Sequence, residues 1–388
     1  MPSASRPNRG PAMNELPAAG RSALQRLVAR GFTDPLSPDQ RPELVADHRP
    51  ASTGLPKVAV ILPTMSDRPW ATEMVDYLTG LAGQVAIAAK ERAIEIHLYV
   101  AVQYPAHDAV QGKDSARRIE AVLREGLGDD LARIGLTVMT LAGPGKVVSI
   151  NAVTKIASTR GVEAVLLIDD DVAFSEGCFS RMIAAYLESP RPIAIGARKI
   201  GQPFQTRASS VLHKLKSFTQ PAENYPHACC MIVSMDVIAP EIPPIYSSDD
   251  GYICFRLLAA EQPNPLARLV LIEEAYCYHW VGGRDAGEIT SRVRRMLLHH
   301  HLFLSHGRRV DARYYLAELL FFGMWPLVPF DRTKGFRRGA IKCLLKYVYA
   351  LWFAKIGVEL ILRGLSGRPL REIVWGGLRP RAETEMAI

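Results

Sequence analysis

Three consecutive carboxylates, Asp169, Asp170 and Asp171, stand directly after the five apolar residues AVLLI. Side by side they repel one another and raise each other's pKa unless a cation relieves them, and hard oxygen ligands suit Mg²⁺ or Mn²⁺. A metal held there would bridge to a diphosphate and neutralise charge on a leaving group. The alternative, a solvated acidic turn, seldom follows an uninterrupted apolar run. A second acidic pair, Asp249 and Asp250, opens the segment DDGYICFRLLAAE, which reads as a helix. At a helix start the dipole favours an ionised carboxylate able to accept a proton, and Asp249 could instead serve as a cap.

Basic residues offer complementary chemistry. Arg292 and Arg295, one helical turn apart in SRVRRML, could clamp a diphosphate or an acceptor phosphate, or could form an ordinary basic helix face. Lys146 follows Gly143-Pro144-Gly145, the nearest thing to a phosphate loop. Thr140 stands where that loop needs its first glycine and Val147 where it needs Ser or Thr, which argues against an ATPase. The run His299-His300-His301 covers three sides of a helix and is unsuited to chelating a single ion.

The elements that must position these groups alternate. KVAVILP from Lys57 is an apolar strand ended by proline, followed by a helix from Trp70 to about Arg92. EIHLYVAV, a helix around Ser115 to Glu125, LTVMTLA, a helix from Val147 to Thr159 and AVLLI continue the pattern. PIAIGARKI, HACCMIVSM and LVLIEEAYCYHW read as further strands. Such alternation predicts an α/β fold built on an open, mostly parallel sheet with helices on both faces, and ligands bind at the carboxyl ends of such strands. The triple aspartate falls at one of those ends.

With 388 residues, 48% of them hydrophobic, the chain can bury a sizeable core, and its formal charge of +8 attracts acidic surfaces, phosphates or anionic lipid. Six cysteines without paired spacing read as reduced thiols of a cytoplasmic protein. Residues 1–56, rich in Pro, Arg, Ala and Ser with one short helical pattern at Leu24, Leu27 and Val28, read as a flexible tail or wrapping segment without a secretory signal. Beyond Gly283 the composition turns basic, and two apolar stretches follow at 314–330 and 340–362. Both carry charges or prolines that disfavour a membrane span, and both suit helices seated at an anionic membrane surface, on its inner face; a helical subdomain or an oligomer interface is the alternative. The expected organisation is therefore a tail over 1–56, a catalytic domain over 57–300, a helical membrane-associated region over 301–376 and a short tail over 377–388.

In order and spacing, KVAVILPT, GPGKVVSINAV, VLLIDDDVAFSEGCFSRMI, HACCMIVSMDVI, SSDDGYICFRLLAAE and EAYCYHW resemble family 2 glycosyltransferases of the GT-A fold, over about residues 57–300. The resemblance implies that Pro63 and Thr64 end the first strand beside the nucleotide and that Lys146 and Asn151 line the donor site. It implies that Asp169 and Asp171, with Asp170 between them, form a D-x-D pair in which Asp171 is the nearer metal ligand. Asp250 becomes the general base of an acidic pair with Asp249, and His279 a ligand to metal or diphosphate. SRVRRML is similar to the (Q/R)-x-x-R-W element of processive and ceramide-type members, with Arg292 and Arg295 matching and Met296 in place of Trp. Where the family ends its second strand with an Asp that reads the base, this chain has Val102 and Gln103.

The implied activity is an inverting, metal-dependent transfer of a hexosyl group from a nucleotide-diphosphate sugar to a lipid, lipid-linked or glycan hydroxyl. A sugar-phosphate nucleotidyltransferase would need a glycine-rich loop after the first strand, and PTMSDRP contains none. A non-catalytic basic membrane binder would not need both acidic clusters. Nucleic acid is disfavoured because the basic residues mix with long apolar runs rather than with stacking aromatics. The oligomeric state stays open.

Overall fold

The computed structural model describes residues 22–32, 42–50, 52–67, 72–105, 107–143, 145–203, 226–239, 241–246, 248–259, 265–281, 286–306, 336–368 and 370. The core of its sheet is written in alternating residues. In β2 (Lys57–Met65), Val58, Val60 and Leu62 pack to one side while Ala59 and Ile61 pack to the other. The same alternation runs through β3 (Glu95–Tyr104) and β5 (Ala164–Ile168), so each strand is buried on both faces. One side is covered by α2 (Thr72–Glu91), α3 (Ala109–Leu127) and α5 (Cys178–Glu188). The other is covered by α4 (Lys146–Thr159), the short α6 (Met235–Ile238), α7 (Asp249–Ala259), α8 (Ala286–His306) and α9 (Phe336–Ser366).

With β1 (Glu43–His48), β4 (Gly135–Ala142), β6 (Val172–Phe174), β7 (Ala194–Pro203), β8 (Cys230–Ser234) and β9 (Leu269–Val281), the sheet has nine strands in the order β1-β4-β3-β2-β5-β8-β7-β9-β6. β2, β3, β4, β5, β7 and β9 point one way, and β1, β6 and β8 oppose them. This is the expected α/β class with a mostly parallel sheet. The antiparallel β8 brings Cys230 opposite Ile168, so the residues just before β8 meet the carboxyl end of β5.

Two segments of the expected tail over 1–56 are ordered, one of them at the short helical pattern of Leu24, Leu27 and Val28. Residues 43–48 form β1, and residues 23–30 form α1 (Ala23–Arg30), which opens with a reciprocal capping box between Ser22 and Gln25. ELVADH lacks a clean apolar alternation because this edge strand is fixed by side-chain pairs. Glu43 pairs with Lys113 at 2.7 Å, His48 with Glu120 at 3.0 Å, and Asp47 accepts from Thr137 Oγ1 at 2.6 Å and from Arg160 at 3.2 Å. α1 buries Val28 and sends Gln25 Nε2 to the Leu304 carbonyl of α8 at 2.9 Å. Its Leu27 carbonyl lies so close to Gly364 of α9 that an added Cβ would sit 2.1 Å away, which makes glycine the residue that lets these two backbones meet.

Among the described residues no helix is long and apolar enough to cross a membrane. The second C-terminal apolar stretch lies within α9, which is clamped to α8 by a bidentate Arg294–Glu359 pair at 2.8 and 2.9 Å. His301 adds a 2.8 Å bond to the Phe353 carbonyl and stacks on its ring. The first apolar stretch, 314–330, and the tail over 377–388 lie outside the described residues.

Candidate functional site

The singled-out carboxylates lie where the carboxyl end of β5 meets the N-termini of α4 and α7. β5 ends at Ile168 and delivers Asp169, Asp170 and Asp171, after which the chain enters β6. α4 starts at Lys146 after Gly145, whose φ of 145° is open to glycine and strained for other residues. α7 starts at Asp249. Lys146 joins the two acidic clusters: its Nζ lies 2.6 Å from Asp169 Oδ1 and 3.0 Å from Asp249 Oδ2. Burial alone would lower the lysine's pKa, but the Asp169 and Asp249 carboxylates outweigh it and hold Nζ protonated well above the usual range.

The two residues of the second acidic pair have opposite environments. Asp249 is buried, and desolvation pushes its pKa up to about 6, with Lys146 opposing the rise and Asp250 and Asp169 adding to it. Asp250 also pays for burial, yet its pKa is lowered, because His227 and Ser248 hold the ionised form. His227 Nδ1 lies 3.3 Å from Asp250 Oδ2, while Ser248 Oγ and the Gly251 N–H each donate to Oδ1 at 2.7 Å. One carboxylate is thus balanced near neutrality and its neighbour is fixed as an anion.

Around the aspartate run, Thr64 Oγ1 at the end of β2 donates to Asp170 Oδ2 at 2.6 Å, and Tyr77 of α2 donates to the Asp169 carbonyl at 2.7 Å. Pro63 pairs with Ala101 within the β2–β3 ladder beside Thr64. His279 sits opposite Val172 in the β6–β9 register, next in line to Asp171, and its Nδ1 lies 3.1 Å from the Ile200 carbonyl. A carbonyl partner selects the Nδ1–H tautomer, which puts the lone pair on Nε2. Among the described residues no three His, Cys, Asp or Glu side chains converge on a point that could hold an ion by themselves.

Asn151, expected to line the donor site, bonds a backbone segment distant in sequence. Its amide is taken by both backbone groups of Ile242, donating to the carbonyl at 2.7 Å and accepting from the N–H at 2.9 Å. It pins the segment leading into α7. Arg292 lies on α8, and its side chain is outside the described residues. Arg295 shares that helix and acts electrostatically on His299, as Asp250 does. Burial presses His299 down to about 4 and His300 to about 3, so both are neutral packing groups at neutral pH.

Sequence reasoning missed His227, Ser248, Tyr77, Lys199 and Gln103. Lys199 of β7 is exposed, and its pKa is raised, with Asp169 and Asp250 among the groups that favour its charged form. Gln103 donates to the Gly145 carbonyl and to Ser149 Oγ, each at 2.5 Å, and accepts from the Gly145 N–H at 3.2 Å. It therefore shapes the turn before Lys146 from the position where a base-reading Asp was sought. The five described cysteines are free and buried; Cys229 and Cys277 lie 3.6 Å apart, and Cys178 and Cys230 3.9 Å apart.

The fold and the site define an α/β protein with two acidic clusters bridged by one lysine at the carboxyl ends of parallel strands. No family model and no curated protein sequence matches the chain. Similar solved structures include a mannosyltransferase from Pyrobaculum calidifontis in complex with GDP-Man and Mn²⁺, 13% identical, covering 82% of this chain and 89% of its own, with a TM-score of 0.45. Glucosyl-3-phosphoglycerate synthase from Mycobacterium tuberculosis in complex with Mn²⁺, UDP-glucose and glycerol 3-phosphate is 14% identical over 67% of this chain and 86% of its own, with a TM-score of 0.36. The galactosyltransferase LgtC, in complex with donor and acceptor sugar analogues, is 14% identical over 59% and 91%, with a TM-score of 0.29. These likenesses are too distant to give this chain an activity.

Proposed function

We propose that this chain is a GT-A glycosyltransferase that moves a hexosyl group from a nucleotide-diphosphate sugar to an acceptor hydroxyl with inversion at the anomeric carbon. The observation that carries the reading is the Lys146 bridge, which draws Asp169 at the end of β5 and Asp249 at the start of α7 into one site. The carbohydrate, its nucleotide base and the lipid or glycan nature of the acceptor belong to the reading as classes only.

The donor set suits Mg²⁺ or Mn²⁺ of the kind held by one or two carboxylates and completed by substrate phosphate. Asp169 Oδ1 is engaged by Lys146 and Asp170 Oδ2 by Thr64, which leaves Asp171 as the first ligand, with His279 beside it. When bound, the ion supplies positive charge to the leaving diphosphate. Lys146 orients Asp169 and Asp249, and Thr64 holds Asp170. Lys199 and the guanidiniums of Arg292 and Arg295 add positive charge for phosphate.

Asp250, ionised and oriented by His227, Ser248 and the Gly251 N–H, takes the proton from the acceptor hydroxyl. The hydroxyl oxygen then forms the new bond to the anomeric carbon, and the electron pair of the breaking bond leaves with the nucleoside diphosphate. Asp249 supports a second assignment of the base, because a group balanced near 6 matches neutral-pH proton transfer. Its burial and its pairing with Lys146 favour Asp250.

A panel of nucleotide sugars, with and without Mn²⁺, tests the reading by thermal stabilisation and by release of nucleoside diphosphate. A true donor at about 100 times its Kd adds about 2.7 kcal/mol to stability. Absence of both stabilisation and diphosphate release across uridine, guanosine, adenosine, cytidine and thymidine donors would refute it.

A further inference from the structure

α9 has two sides. One packs inward through Ile356 and Leu360 and through the close meeting of Gly364 with α1. The other presents Leu344, Val348, Leu351, Val358, Leu362 and Leu365, each 50–70% exposed. Leu344, Leu351, Val358 and Leu365 recur every seven residues, and so do Val348, Lys355 and Leu362, so the exposed groups line one stripe with Lys355 at its middle. At about 1.5 Å per residue the stripe runs roughly 30 Å, comparable to a whole small domain. Exposed apolar surface of this extent marks an interaction site.

We propose that this stripe lies in the headgroup layer of an anionic lipid bilayer, with α9 parallel to the membrane plane. The position of Lys355 selects that occupant. The stripe from 344 to 365 is centred between residues 354 and 355, so pairing with a second copy sets Lys355 against or beside its own counterpart in either the parallel or the antiparallel direction. Two ammonium groups in an apolar seam are unfavourable. At a bilayer the same lysine extends its charge to anionic phosphates while its methylenes stay among apolar neighbours. The whole chain carries a formal charge of +8, which adds to the attraction. The inward contacts and the Arg294–Glu359 clamp fix which side of α9 faces out. This surface does not depend on the transfer reaction.

The test is cosedimentation of the full chain with phosphatidylcholine vesicles and with vesicles containing about 30 mol% phosphatidylserine, which carry the negative surface potential that attracts basic residues. Wild type should prefer the anionic vesicles. Lys355→Glu, a change at an exposed position, should weaken that binding at least about fivefold, since one elementary charge near such a surface is worth about that factor, and should leave binding to neutral vesicles unchanged. The double variant Leu351→Glu/Val358→Glu should lose binding to both kinds, with circular dichroism confirming that it remains folded. Wild type that fails to bind either vesicle, or Lys355→Glu that binds anionic vesicles as wild type does, would overturn the proposal. A concentration-dependent dimer by light scattering that the double variant dissolves would overturn it in favour of a second copy.

Discussion

Replacing Lys146 by methionine keeps an unbranched stem out to Cε and removes the ammonium that joins Asp169 to Asp249. The cost is set by where the two carboxylates can turn. In the wild type, Asp249 has a folded-state pKa of about 6 against 3.8 for the unfolded chain. The folded state therefore binds more protons between those values, and stability tied to this group is full below 3.8 and declines until about 6. At 1.4 kcal/mol per unit the decline amounts to about 3 kcal/mol, after which the wild-type curve is flat. Without the ammonium the pKa moves higher and the decline continues to higher pH. Protonation limits it: keeping Asp249 neutral at about pH 7 costs about 4 kcal/mol relative to the unfolded chain, so the added loss through Asp249 is about 1 kcal/mol. Asp169, with a side chain 30% exposed, retains water and adds up to about 1 kcal/mol more. Urea denaturation of both proteins across about pH 5 to 8 reads the difference. The curves should differ by at most about 1 kcal/mol at about pH 5, through Asp169, and by about 1 kcal/mol more at pH 7 and above, through Asp249. A gap of the same size at both ends of that range, or a variant more stable than wild type at high pH, would refute the reasoning.

Asp250→Asn keeps size and hydrogen-bonding capacity but removes basicity; donor binding should stay within about threefold while turnover falls by roughly 10² to 10⁴. Asp249→Asn should cost less in turnover, and the opposite order in a single-turnover assay would move the base to Asp249. Asp171→Ala should abolish turnover without altering the thermal midpoint by more than a degree or two, and full activity of the variant, or of wild type in EDTA, would remove the metal from the proposal. Asn151→Ala leaves both backbone groups of Ile242 without their partner and should destabilise by about 1–3 kcal/mol. Because Asn151 acts through the segment before α7, its loss should lower kcat more than it raises KM, and a pure KM effect would instead restore it to the donor site.

Sequence alone determined the parts of this protein that depend on local pattern. Continuous apolar runs such as KVAVILP and AVLLI can be satisfied only by burial on both faces, so the central strands and the position of Asp169 at a strand end follow from residue order. The acidic start of α7 and the helix after Gly145 are equally local. β1 was not legible, because ELVADH has no periodicity of its own and is held by partners more than 60 residues away in sequence, namely Lys113, Glu120, Thr137 and Arg160. The roles within the site also waited for tertiary structure. Asn151 and Gln103 are polar residues whose amides bond backbone that only the fold brings near, so their residue spacing does not reveal these contacts. The same is true of the acidic pair: Asp249 and Asp250 are adjacent and chemically identical, and their pKa values part because burial of Asp249 is only partly offset by Lys146 while His227 and Ser248 hold Asp250 ionised. Residue order fixes which groups reach a strand end or a helix start. Burial and charge partners, which come from distant segments, decide what each group does there.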